Sequence, residues 1–133
     1  MTAFTLSSTV RRPYDRTLAA VRDALAGQGF GILTEIDLKA TLKSKLDVDV
    51  QPEIILGACR PALAYRALRA EPSIAAVLPC NVVVRSVDAE TTVVEAFDPS
   101  AMIALAGTTT LNDVAAEART RLAAALAVVE QEN

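Results

Sequence analysis

The sequence predicts an α+β fold, a two-layer sandwich in which one mixed or antiparallel sheet of about five strands packs against helices. Three features carry that expectation. Short β-branched runs alternate with segments whose apolar residues recur at helical spacing, the runs on either side of Asp88-Ala89-Glu90 read as a hairpin, and the C-terminal stretch holds one long apolar stripe. A chain of 133 residues, 52% of them hydrophobic, without a linker, internal repeat or low-complexity tract, fits a single domain over residues 1–133. At that length the core needs neither disulfide nor metal to hold it.

Phe4 to Val10 alternates apolar and polar positions, the period of a half-buried strand. Pro13 opens a helix with Tyr14, Leu18, Val21 and Leu25 on one face, ended by Gly27 and Gly29. Phe30 to Ile36 reads as a strand, and Asp37 caps the helix that carries Leu38, Leu42 and Leu46. The run Ile54-Ile55-Leu56 places a nearly buried strand over Val50 to Ala58, with Pro52 confining its beginning to a sheet edge. Pro61 starts a third helix that reaches Pro72. Ile74 to Val87 reads as one long strand, bent or bulged at Pro79 beside Cys80, and pairs with Thr91 to Phe97. A short helical turn through Met102, Ile103 and Leu105 leads to Gly107 and the threonines 108 to 110. The last helix begins at Thr110, whose spacing to Asp113 matches a capping box, and buries Leu111, Val114, Ala118, Leu122, Ala125 and Val129.

The chain contains no histidine, which excludes Ser/His/Asp and Cys/His catalysis and any histidine-ligated metal. With 16 acidic and 13 basic residues, no basic block beyond Arg11-Arg12 and no tryptophan, nucleic-acid binding is not expected. Met1 to Val10 lacks the basic-then-apolar order of a leader, and no run of about 18 apolar residues occurs, so we expect a cytoplasmic protein without a membrane partner.

Two neighbourhoods hold reactive groups. Cys59 falls between a strand end and a helix, next to Arg60, where amides and the guanidinium favour thiolate; Cys80 follows the strand-interrupting Pro79 and precedes Asn81. If the strands flanking the third helix are neighbours, the thiols approach each other and a disulfide or a shared soft metal becomes available. Buried, inert thiols are the competing reading. Glu35 and Asp37 share a strand face and offer an acid–base pair or a hard-cation site, against a cap at Asp37 and a lysine partner such as Lys39 for Glu35. Tyr65 and Arg66 on the third helix either line a pocket near the thiols or serve packing and surface charge.

Glu35-Ile36-Asp37, Ile55-Leu56-Gly57-Ala58-Cys59, Pro61 to Leu68, Glu71-Pro72, Leu78-Pro79-Cys80-Asn81-Val82 and Asp98-Pro99, in this order and spacing, resemble the bacterial and archaeal family catalogued as domain of unknown function 302. The resemblance runs from about Arg12 to about Met102. It departs at Arg60, where the family usually has asparagine, and at Ala75-Ala76, where a glycine is common. What it implies is a compact α+β domain, often a homodimer, with no established reaction; the family's recurring residues are similar to Cys59, Cys80, Asp37 and Tyr65 here. The expected function is therefore a homodimeric binding module for a small ligand, a thiol partner or a soft metal at Cys59 and Cys80. A cysteine-based redox enzyme and a purely structural dimerisation domain are the alternatives.

Overall fold

Alternation along the strands builds the architecture. In the computed structural model, which describes residues 3–107 and 109–131, β1 (Thr5–Val10), β5 (Thr91–Phe97), β4 (Cys80–Asp88), β3 (Glu53–Cys59) and β2 (Gly31–Asp37) lie side by side in that order, every neighbouring pair antiparallel. Met1 and Thr2 of the N-terminal reading, and Thr108 of the threonine run, lie outside the described residues. Odd and even strand positions face opposite sides of the sheet. Ile54, Leu56, Ala58, Val82, Val84, Val94 and Ala96 point to one side and pack against Val21 and Leu25 of α1 (Tyr14–Gly27) and Leu122, Leu126 and Val129 of α5 (Asn112–Gln131). The other side carries Glu53, Asn81, Val83, Arg85, Glu95 and Phe97, which line an open cleft.

A second cluster lies beside the first: Leu63 and Ala67 of α3 (Pro61–Ala70), Ile74 of a 3₁₀ turn (Pro72–Val77), Met102 of α4 (Ser100–Ala106), and Leu111, Val114, Ala115 and Ala118. α5 thus contributes its first half to one cluster and its second half to the other. Every residue of its predicted stripe is buried. α2 (Leu38–Leu46), in contrast, buries none of its residues and is held by its cap, Ala40 N–H donating to the Asp37 carboxylate at 2.9 Å.

Four features differ from expectation. Ile74 to Val77 forms the 3₁₀ turn instead of the start of β4, because Pro72 and Pro79 bracket it and Glu71 accepts from Ser73 N–H at its start. Pro79, after a cis Leu78–Pro79 peptide, sits outside the ladder; the bulge in β4 falls between Ser86 and Asp88. β3 is internal to the sheet, so Pro52 precedes the strand and is not on an edge; its carbonyl accepts from Ser86 N–H at 2.9 Å. α5 begins at Asn112, two residues after Thr110. Sequence reading also missed Arg12, which is 5% exposed and donates from Nη2 to the Val129 carbonyl at 2.7 Å, closing the last turn of α5.

Candidate functional site

β3 and β4 are neighbours, but it is Ala58 that stands opposite Cys80, with Cys59 one position further along the strand, so the two thiols are not brought close together as the sequence reading expected. Both are free, no disulfide joins them, and no group of three or more Cys, Asp or Glu side chains able to hold a metal occurs among the described residues. They line a cleft along the seam between the two hydrophobic clusters, with Phe30, Leu63, Met102 and Val114 as its walls. Its volume is about 30 Å³, the share of a single water molecule in the liquid. Neither thiol is activated. Burial raises the pKa of Cys59, and burial with the neighbouring Cys59 pushes Cys80 up to about 11. The expected thiolate at Cys59 fails because Arg60 turns away: its Nε donates to the Gln28 carbonyl at 3.3 Å, and its Nη1 lies 3.6 Å from Glu117.

The remaining candidates disperse. Asp37 is occupied as the cap of α2. Glu35 pairs with Arg22, while Lys39 donates to the Val50 carbonyl. Tyr65 is 62% exposed, with Arg69 over its ring, so it lines no pocket with the thiols. Arg66 joins Arg60 and Arg121 around Glu117, whose carboxyl is held below its ordinary pKa by the hydrogen bonds from Arg121 and Arg66.

Asn81 has a different setting. One residue after the inward-facing Cys80, it points to the open side of the sheet and lines a cleft of about 470 Å³ with Phe4, Glu53, Pro79, Val83, Arg85, Glu95, Phe97 and Leu105. The floor is apolar. Its charged centre is Glu95, which accepts from Arg85 and, at 3.0 Å, from the Thr5 hydroxyl; the Arg85 hydrogen bond lowers its pKa against the opposing effect of burial. Glu53 stands opposite Arg85 across the β3–β4 ladder and forms no ion pair among the described residues. Pro79 borders both clefts and fits there because Gly57 has no side chain: a Cβ at Gly57 would come within 2.8 Å of Pro79 Cγ and 2.1 Å of the Thr34 hydroxyl. Sequence reading missed this cleft apart from Asn81. A usable signal existed, since Arg85 and Glu95 flank the hairpin turn with opposite charge on one face.

Comparison with known proteins agrees with the fold. A crystal structure titled as the uncharacterized conserved protein DUF302 from Bacillus stearothermophilus is similar with a TM-score of 0.87 and 27% sequence identity, over 96% of this chain and 98% of that one. No curated protein matches this chain. The family profile described as domain of unknown function DUF302 matches residues 6–129, spanning every strand but the first residue of β1 and all helices but the end of α5; this chain belongs to the DUF302 family.

Proposed function

We propose that this protein is a small-ligand-binding module without catalytic chemistry of its own, and that the ligand sits in the open-face cleft. The observation that carries this reading is the cleft's volume of about 470 Å³ over an apolar floor, with Asn81, Thr5 and the Arg85–Glu95 pair as convergent polar groups. Small-molecule sites combine these features at volumes of roughly 300–1,000 Å³. The neutral dye N-phenyl-1-naphthylamine tests it. Saturable fluorescence enhancement at one dye per chain is expected, and Asn81→Trp, which fills the cleft from an exposed position, should abolish it with the circular dichroism unchanged. No saturable signal, or equal binding by Asn81→Trp, would remove the cleft as the site.

A narrower reading keeps the thiols as a site for a thiol partner or soft metal, and is favoured by Cys59 being only half-buried at the mouth of the seam. Iodoacetamide labelling that depends on Cys59 and rises only as the pH approaches the raised thiol pKa would leave this as a slow, accessory chemistry. We also read the protein as a cytoplasmic homodimer whose second copy leaves the open-face cleft accessible. A native mass spectrum showing only monomer would reject that assembly.

A further inference from the structure

We infer that the ligand is an extended aliphatic cation, a single alkyl chain with an ammonium head, lying across the open-face cleft and an adjoining one. The inference rests on the binding reading above and specifies its ligand class. A second cleft of about 360 Å³, between the 3₁₀ turn and α4, is bordered by Glu71, Ile74, Met102 and Ala106 and shares Val77 and Leu105 with the first. Leu105 is 70% exposed, so it forms a lip between the two spaces and not a buried partition. The two clefts therefore abut along apolar side chains, and an elongated ligand can cover both.

Charge chooses the head group. The first cleft holds the carboxylates of Glu53 and Glu95 against the single guanidinium of Arg85, which is already committed to Glu95. Glu53 is left without an ion pair among the described residues, and the charged residue lining the far end is a further carboxylate, Glu71, whose Oε1 accepts from Ser73 N–H. An anionic head beside Glu53 or Glu71 would meet a like charge, whereas an ammonium beside Glu53 completes the pair that Arg85 does not make. Between the charged ends the walls are Val77, Leu105, Phe97 and Val83, which offer a chain contact area and no hydrogen bonds.

Displacement of the naphthylamine dye from the full chain by alkyltrimethylammonium ions, from butyl to tetradecyl and below their micelle concentrations, tests this directly. Affinity should rise about twofold per added methylene, half the increment of full burial because one side of the trough stays open to water. Alkyl carboxylates of equal length should bind at least tenfold more weakly. Ala106→Trp fills only the second cleft, so it should flatten the series beyond the shorter chains and leave dye and butyl binding unchanged. Glu53→Gln should weaken every ammonium about fivefold without affecting the dye. Carboxylates that bind as well as ammonium ions, or a chain-length series indifferent to Ala106→Trp, would overturn the inference while the dye still reports a working cleft. Failure of the dye itself would sink the cleft and the inference together.

Discussion

Cys80 lies against the helices with its thiol pKa pushed up to about 11, first by burial and then by Cys59. An acid whose folded pKa exceeds its unfolded one holds its proton more tightly when folded, so it leaves stability unchanged below the unfolded value and erodes it as the pH rises between the two. We expect a loss of about 2–3 kcal/mol attributable to Cys80 between pH 9 and 11, read as the difference in urea midpoints between the native chain and Cys80→Ala. The comparison is needed because Tyr14, also raised by burial, adds its own alkaline slope to both proteins. Glu95 behaves in the opposite sense. Its pKa is lowered by the Arg85 hydrogen bond, so its contribution is present above the ordinary carboxylate range and is lost as the pH falls through the depressed value; Glu95→Gln should flatten the acid limb of the stability curve. At Gly57 the constraint is steric. Gly57→Ala forces a methyl against the Thr34 hydroxyl and Pro79 and should cost about 1–3 kcal/mol in thermal melts, part of which Thr34→Ala in the same chain restores.

The helices divide by how they are held. On α5, Leu122 is fully enclosed between sheet and helix, so Leu122→Ala should cost about 2–5 kcal/mol, while Leu46→Ala on the exposed α2 should stay within about 0.5 kcal/mol. That difference bears on what could be read in advance. The stripe from Leu111 to Val129 was legible because a long helix repeats its apolar period many times. Ile74 to Val77 was not, because a short apolar run has no period to distinguish strand from 3₁₀ turn, and only the flanking Pro72 and Pro79 hinted at a break. The cap at Asp37 was visible locally, whereas the Glu35–Arg22 pair joins residues on different elements and escaped. The open-face cleft was harder still. Phe4, Glu53, Asn81, Arg85, Phe97 and Leu105 meet only through sheet order, which strand patterns do not specify, and the cysteines drew attention because their chemistry is rare while their surroundings remained unseen.

Across the whole molecule, the two hydrophobic clusters share α5, so neither can lose its packing without exposing part of the other. We expect one cooperative transition. The tyrosines provide the check, since Tyr14 reports from α1 on the sheet cluster and Tyr65 from α3 on the second; denaturation curves of Tyr14→Phe and Tyr65→Phe followed by tyrosine fluorescence should each coincide with their far-ultraviolet dichroism. Curves that separate would mean that the clusters unfold independently. β2 raises a different matter at this scale. It is the outermost strand on its side, exposed along most of its length, and its register with β3 slips between Ile32 and Thr34 while Glu35 and Asp37 lie along it. An unpaired strand margin is a template for polymerisation, and an irregular, acidic margin is a poor one. The bulge and the carboxylates thus keep the sheet finite, closing it at five strands without a cover of protein.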